Sequence, residues 1–413
     1  MTALSIRREQ FLINGRPVYA DLPGCPEKYH GLLMNARFIQ GIFDDAEAPE
    51  RFARFGHETW DPEAQTDRLI AALPEWYAYG LRAFTVGLQG GGPCFTTDNN
   101  TITNNPFGTR GTTLDPAYAA RLDRLIRAAD ALGMVVIVSF FYCAQVRQLK
   151  DGRAIRNAVI TASSFLHERG YTNVMIEVAN EMDVGPFKAH PLIFHPEGMA
   201  SLVDLAREAS GGLPVGCSGT GGYLSREVAE ASDFILVHGN GLTRQQYYNM
   251  IQTVRSWNLS KPILCNEDSQ AIGNMLVSME LGVSWGYYNN LTKQEPPADW
   301  SVTRGEDRFF AQRMAEQLGL AVPALPGDEH FYLQGLEPHM TDAGKRWLRA
   351  AALYPEQVNY VDFYCDGKHA YRSHDEPFTV NFKCSWLQGP VENGGVWTAE
   401  VVLADGRTVH LGQ

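Results

Sequence analysis

The sequence lacks the features of several common classes of protein. No stretch is long and apolar enough to span a bilayer, and the N-terminus has no signal-type apolar run. We therefore expect a cytoplasmic protein, or a secreted or periplasmic one from which a signal peptide has been removed. Lys and Arg (35) are outnumbered by Asp and Glu (47), and the resulting net charge of −12 argues against a nucleic acid partner.

The cysteines exclude two further classes. There are seven of them, an odd number, and none forms a CxxC pair. A zinc ribbon or a disulfide scaffold is therefore not expected, whereas reduced and mostly buried thiols are. The sequence also contains no internal repeat and no low-complexity tract.

What is present indicates a large α/β fold. Apolar residues make up 45% of the 413 residues, enough for a sizeable core. One barrel of ~250 residues or more, with a small appendage, accounts for this length. Short apolar strands alternate with amphipathic helices, and the strands are expected near residues 36–43, 83–86, 135–141, 173–179, 214–217, 234–237, 262–265 and 283–285. Eight such units predict a (β/α)8 TIM barrel rather than an open doubly wound sheet.

Three units are predicted along the chain. Residues 1–20 form an N-terminal hairpin packed on the barrel, because Asn14-Gly15 is a tight-turn signal between apolar runs. Residues 21–340 form the barrel. Residues 341–413 form a connecting helix (341–353) and a small β-sandwich module, in which short alternating strands are separated by Asp-Gly turns. We expect this module to pack against the barrel, with sugar binding as the alternative.

Start signals mark three of the barrel helices. Asp61-Pro62 and Asp115-Pro116 each place a capping carboxylate before a proline at the first helical position. Thr243 with Gln246 predicts a capping box.

One connection, residues 89–113, is much longer than the median of ~4–6 residues and is rich in Gly, Asn and Thr. It follows the C-terminal end of a predicted strand, where barrel enzymes build their sites. It is either a substrate-binding loop or a surface insertion without a role.

Two predicted strands end in Asn-Glu. Asn173–Ala179 leads into Asn180-Glu181, and Ile263-Leu264-Cys265 leads into Asn266-Glu267. By our count these are the fourth and seventh strands, so both carboxylates are expected at the C-terminal mouth of the barrel. Glycoside hydrolysis needs two carboxyl groups, one to protonate the leaving oxygen and one to attack the anomeric carbon or activate water. A strand-terminal Glu that only pairs with a cation is the structural alternative.

With these residues the sequence resembles glycoside hydrolase clan A, especially the cellulase-like family 5, as a divergent member. The resemblance covers roughly Phe11 to Leu320 and is most specific at Asn180-Glu181. It implies a retaining glycoside hydrolase in which Glu181 is the acid/base and Glu267 the nucleophile. It further implies that Asn180 binds the sugar 2-hydroxyl and that Trp285 forms a subsite floor, with plain barrel packing as the alternative for this tryptophan.

Other positions match the clan more loosely. His238 resembles its sixth-strand histidine, but Asn240 replaces the aromatic residue that normally hydrogen-bonds the nucleophile. Tyr287 or Tyr288 is a possible substitute donor. Tyr142 lies where a third-strand histidine often occurs, and we include it with Tyr288 and Asn240 among the substrate-binding candidates.

The arginine that the clan places on the second strand is not evident, because Arg82 lies too early in that strand. Glu177 precedes Glu181 by four residues and is expected to pair with Arg82 or Arg37 deeper in the barrel.

No cofactor is expected. His190 and His195 could suggest a metal site, but a third ligand at suitable spacing is missing, so ordinary loop histidines are favoured. The expected partner is a carbohydrate substrate. Two other functions stay open: a non-catalytic carbohydrate-binding barrel, and a polysaccharide lyase.

Overall fold

The computed structural model describes residues 1–51, 60–93, 101–269, 271–294, 298–337, 341–342, 344–380 and 391–412. Its first unit is an antiparallel sheet of β1 (Leu4–Arg7), β2 (Gln10–Ile13) and β3 (Arg16–Pro17). Asn14 and Gly15 form the turn between β2 and β3 with φ angles of 52° and 76°. Phe11 is buried against Phe234 at 6.2 Å between ring centroids, so the sheet contacts the segment that leads into the sixth barrel strand.

Parallel strands follow at or beside the eight predicted positions, although the first ends at residue 37 rather than 43 and the last begins one residue after the predicted 283–285. They are β4 (Asn35–Arg37), β5 (Ala83–Gly87), β6 (Val135–Phe141), β7 (Val174–Ala179), β8 (Val215–Gly216), β9 (Ile235–His238), β10 (Ile263–Glu267) and β11 (Gly286–Tyr287). β5, β6 and β7 are buried along their whole length, as strands covered by helices should be.

The strands run around a barrel. Six pair in the order β11-β4-β5-β6-β7-β8, and β9 pairs with β10. Parallel bridges from Leu264 to Ser284 and from Asp268 to Tyr287 join β10 to β11. On the other side, the Asp233 amide donates to the Val215 carbonyl at 2.9 Å and links β8 to the start of β9. The TIM-barrel prediction is therefore confirmed.

Helices connect successive strands. They are α1 (Pro62–Ala78), α2 (Pro116–Leu132), α3 (Gly152–Glu168), α4 (Pro191–Phe194), α5 (Pro196–Ala209), α6 (Arg226–Ala231), α7 (Arg244–Ser256), α8 (Ile272–Glu280), α9 (Asn290–Lys293) and α10 (Glu306–Gln317). The carboxylates of Asp61 and Asp115 cap α1 and α2, and Thr243 forms the predicted capping box with Gln246. Among the described residues, no helix combines the length and apolarity that crossing a membrane requires.

The C-terminal unit is built from antiparallel strands. They are β12 (Phe331–Gln334), β13 (Thr341–Asp342), β14 (Lys345–Arg346), β15 (Arg349–Ala352), β16 (Val358–Cys365), β17 (Lys368–Ser373), β18 (Val391–Glu392), β19 (Trp397–Leu403) and β20 (Thr408–Leu411). They form three sheets, ordered β12-β15, β13-β14-β18 and β17-β16-β19-β20. Most apolar side chains of these sheets share a core that is separate from that of the barrel.

The helix predicted over 341–353 is wrong, because this segment contains β13, β14 and β15. Leu348 and Ala350 enter the core of the C-terminal unit, whereas Ala351 and Leu353 enter the core of the barrel. The apolar residues of this segment therefore lie on the two opposite faces of a strand, and each face packs into a different core. They do not form the single apolar face of a helix. The predicted boundary at 341 also lies too late, since β12 already pairs with β15.

Candidate active site

The two strand-terminal glutamates lie at the same end of the barrel. Glu267 is the last residue of β10, and Glu181 follows β7 by two residues. One carboxylate oxygen of each, together with a ring nitrogen of His238, form a group whose atoms all lie within 4.8 Å of one another. Their side chains are 20% exposed for Glu181 and 8% for Glu267, so both are accessible only from the mouth of the barrel.

Two donors hold the Glu267 carboxylate. Nε of Arg37, at the end of β4, lies 2.6 Å from Oε2, and Nδ2 of Asn240 donates to Oε1 at 2.6 Å. Both oxygens are therefore fixed in position by protein groups. Asn240 itself supplies the donor that the sequence left in doubt. Tyr287, suggested as a substitute, donates instead to Asp307 at 2.7 Å.

Glu181 lies on a strained turn. Its φ angle is +56°, in the left-handed region that costs a non-glycine residue roughly 1–2 kcal/mol. Its backbone amide donates to the Ser218 hydroxyl at 3.1 Å, and its Oε1 lies 3.0 Å from Nδ1 of His238. These contacts direct the side chain toward Glu267 rather than along the strand axis.

A third carboxylate, Glu177, lies beneath this pair and has no exposed surface. It accepts hydrogen bonds from Ser218 (2.7 Å) and Asn266 (2.9 Å), and Nη1 of Arg37 lies 3.5 Å from its Oε2. The predicted pairing with Arg37 is confirmed. Arg82 instead donates to the carbonyls of Tyr77 and Leu81 at the start of β5.

A bulge in β10 places neighbouring side chains in the same cluster. The register of β10 against β9 shifts between Cys265 and Glu267, which leaves Asn266 as the extra residue. Without the bulge, Asn266 and Glu267 would point to opposite faces of the strand. With it, Asn266 reaches Glu177 while Glu267 reaches Arg37.

The charged groups of the cluster shift one another's pKa values. Although burial opposes the charged form, Glu267, Glu177 and Glu181 raise the pKa of His238 to about 10. Burial also works against the ionised form of Glu177, but Arg37 and His238 lower its pKa to about 2. At neutral pH the ring of His238 is therefore a cation and Glu177 an anion.

The pKa of Glu267, unlike that of Glu177, is raised. Burial raises its pKa; Arg37 and His238 oppose this rise, and the charge of Glu181 adds to it.

Arg37 and Asn180 complete the site. Nη2 of Arg37 donates to Oδ1 of Asn180 at 2.8 Å, so one guanidinium contacts Glu177, Asn180 and Glu267 together. The resemblance placed the corresponding arginine on the second strand, but the first strand supplies it. The sequence placed Arg37 near the start of the predicted strand 36–43, whereas β4 ends at Arg37, so its position at the mouth was not predicted.

Trp285 does not form an open platform. Its side chain has no exposed surface, its indole nitrogen donates to Asp268 Oδ2 at 3.0 Å, and its ring packs against Phe310. This geometry fits the packing alternative rather than a subsite floor. Burial raises the pKa of Asp268, its hydrogen-bond partner, to about 7.

The remaining aromatic candidates lie at the mouth. Tyr142 is half-buried just after β6, and its backbone amide donates to Oε1 of Gln89 at 3.1 Å. Tyr288 is buried just after β11. Gln89 also donates to Asn105 at 2.9 Å and so links the start of the long connection to its second half. Residues 94–100 of that connection lie outside the described residues.

Metal coordination by this cluster is disfavoured by its own geometry. Glu181, His238 and Glu267 are the group with suitable spacing among the described residues, and His190 and His195 do not belong to it. However, Oε2 of Glu267 already contacts Arg37, and the raised pKa of His238 keeps a proton on its ring. A protonated imidazole is a poor ligand.

Comparison with solved structures agrees with the fold. A candidate glycoside hydrolase from Bacteroides vulgatus ATCC 8482 has a TM-score of 0.51 at 12% identity, covering 93% of this chain and 80% of that one. An endo-1,4-β-mannanase from Eisenia fetida has a TM-score of 0.48 at 14% identity, covering 77% and 95%.

A calcium-binding mutant of β-glucuronidase 2 from Bacteroides uniformis has a TM-score of 0.48 at 10% identity. It aligns with 98% of this chain, which spans only 47% of that protein. No protein-family model and no curated protein matches the sequence. The likeness to the Bacteroides vulgatus protein, the one of these three with a TM-score above 0.5, agrees with the barrel fold described above.

Proposed function

We propose that the protein is a retaining glycoside hydrolase in which Glu267 is the nucleophile and Glu181 the acid/base. The observation that carries the proposal is the approach of the two carboxylates, whose nearest oxygens lie within 4.8 Å at the mouth of the barrel. Retaining enzymes place their carboxyl groups ~5–5.5 Å apart, whereas inverting enzymes leave ~6.5–9.5 Å for a water molecule.

The two glutamates differ in their surroundings, and this difference assigns the roles. Arg37 and Asn240 donate to Glu267, and hydrogen bonds of this kind favour an ionised and oriented carboxylate. Glu181 is the more exposed of the pair, which suits a group that must reach the glycosidic oxygen. As the acid of this proposal, Glu181 must begin the reaction protonated.

The reaction then proceeds by double displacement. Glu267 attacks the anomeric carbon while Glu181 gives its proton to the departing glycosidic oxygen, which leaves a glycosyl ester on Glu267. Glu181, now ionised, removes a proton from water, and the resulting hydroxide displaces the sugar from Glu267. Asn180, held by Arg37, is placed to bind the sugar beside the nucleophile.

Substitution of each glutamate tests the assignment. On a panel of aryl glycosides, Glu267→Gln should lower turnover on the order of 10⁴-fold or more, whatever the leaving group. Glu181→Ala should lose about 10²- to 10⁴-fold on substrates with poor leaving groups but little on dinitrophenyl glycosides. Azide should partly restore Glu181→Ala, and a 2-fluoro glycoside should label Glu267 covalently. Glu197→Gln, a change of an exposed glutamate in α5, is the matched control.

The products separate this proposal from the alternatives. Retention of anomeric configuration, followed by NMR, supports double displacement. Inversion, or covalent labelling of Glu181, would contradict the assigned roles. An unsaturated sugar product would indicate a lyase, and sugar binding without turnover would indicate a non-catalytic barrel.

A further inference from the structure

A buried arginine of the C-terminal unit reaches into the barrel. Arg349 lies on β15, and its Nη2 is 3.0 Å from Oε2 of Glu306 at the start of α10. Both side chains are almost fully enclosed, with 3% and 5% exposed. The same Nη2 donates to Oδ1 of Asn289 at 3.4 Å. One guanidinium thus contacts two barrel residues that follow the eighth strand.

Asn289 connects Arg349 to the end of β11 through hydrogen bonds. It has no exposed surface, and its Nδ2 donates to the Tyr287 hydroxyl and to Asp307, both at 3.1 Å. Tyr287, the last residue of β11, donates in turn to Asp307 at 2.7 Å. A fully buried amide with partners on both sides has one favourable orientation, so Arg349 and Tyr287 constrain each other.

Strand β11 separates the two strands that hold the nucleophile in place. Tyr287 is paired with Ala36, the neighbour of Arg37, on one side. On the other side it bridges to Asp268, the neighbour of Glu267. Arg37 must therefore reach past β11 to contact Glu267 at 2.6 Å. A shift at the end of β11 would change this contact directly.

We propose that Arg349 is a positioning residue for catalysis: through Asn289 and Tyr287, it fixes the end of β11 and with it the contact between Arg37 and Glu267. The C-terminal unit is then part of the catalytic machinery, and its docking determines the alignment of the nucleophile. This inference rests on the proposed hydrolase function.

A second arginine provides a matched control. Arg313 lies near the other end of α10, with 8% of its side chain exposed, and pairs with Glu356 of the C-terminal unit at 2.9 Å. It joins the same two units, but none of its recorded partners belongs to β11 or its loop. Removing either arginine weakens the docking, whereas only the loss of Arg349 should disturb the nucleophile.

The experiment compares Arg349→Met, Arg349→Lys and Arg313→Met in the full chain, using an aryl glycoside that the wild type hydrolyses. For Arg349→Met we expect kcat to fall about 10- to 100-fold, since a misplacement of ~1 Å can cost this much. KM should change little, and the acid limb of the pH profile should move. Arg349→Lys keeps the charge but lacks the planar fork, so it should fold and still show a reduced kcat.

The control and the wild type decide the outcome. Arg313→Met should melt at a lower temperature and keep the kcat and pH profile of the wild type. If the Arg349 variants likewise lose only melting temperature, Arg349 is a docking contact and the inference is overturned. If the wild type hydrolyses no glycoside, the proposed function is wrong, and the inference about Arg349, which rests on it, is wrong as well.

Discussion

Replacing Arg37 by Met removes the main counter-charge of the site. Its guanidinium is buried and contacts Glu267, Glu177 and Asn180 within 3.5 Å. Methionine keeps an unbranched apolar side chain but lacks the guanidinium group, so the change deletes the positive charge and its three contacts. His238 then remains as the cation of the cluster that faces Glu177 and Glu267.

The magnitude follows from the burial of these groups. Leaving a buried charge without its partner costs about 3–5 kcal/mol. The protein can avoid this cost if Glu267, whose pKa is already raised by burial, takes up a proton. A protonated carboxyl is not a nucleophile, and 3–5 kcal/mol corresponds to roughly 10²- to 10³-fold or more in the population of the ionised form. At pH 7 we expect kcat/KM to fall by about that factor.

The assay is the pH profile of kcat/KM on an activated aryl glycoside, together with thermal melting. The acid limb of the Arg37→Met profile should move to higher pH, so that activity partly returns in alkaline buffer. Arg82→Met is the control, since Arg82 is also buried but donates to backbone carbonyls at the other end of the barrel. It should lower stability without moving the limb. An unchanged limb in Arg37→Met, with activity within threefold of the wild type, would refute the reasoning.

Two further predictions concern stability. Burial raises the pKa of Glu306 to about 7, and neighbouring carboxylates raise that of His238 to about 10 despite its burial, so the folded state binds protons more tightly at both groups. Stability should therefore fall as pH rises from about 5 to 10, and melting temperatures that increase over this range would contradict the assignment. Gly111 and Gly170 both have positive φ angles, but an added Cβ would overlap the Ala154 carbonyl oxygen at Gly111 and would meet nothing within 4 Å at Gly170. Gly111→Ala should thus destabilise by about 1–3 kcal/mol more than Gly170→Ala in chemical unfolding.

The barrel could be predicted from the sequence because the signals that indicate its strands and helices are local. Most strands are short apolar runs, and the starts of α1, α2 and α7 carry a capping residue within a few positions of the proline or the first apolar residue. Glu181 and Glu267 were predicted at one end of the barrel for the same reason, since parallel strands share a C-terminal edge. The structure places their oxygens within 4.8 Å.

What the sequence could not supply depends on contacts between distant residues. Arg37 and Glu267 are 230 positions apart, and no periodicity indicates that the first strand supplies the arginine. The segment 341–353 has helix-like apolar spacing, because its strand packs against two cores. The sequence likewise gives no sign of the bulge at Asn266, although the bulge determines which side chains reach Glu177 and Arg37.

The charge balance of the cluster links its structure to a two-step reaction. With Glu181 protonated, the anions of Glu177 and Glu267 are matched by Arg37 and the His238 cation, so the buried group is neutral. In the proposed first step Glu181 gives up its proton and Glu267 becomes a neutral ester. The two cations then face Glu177 and Glu181, and the group is neutral again. In this scheme glycosylation leaves the net charge of the group unchanged, which suits a buried site because burial disfavours net charge. A group that acts first as an acid and then as a base, without any movement of the protein, needs equal numbers of positive and negative charges around it in both steps. Glu177 does not touch the substrate in this scheme, but its negative charge makes the two numbers equal.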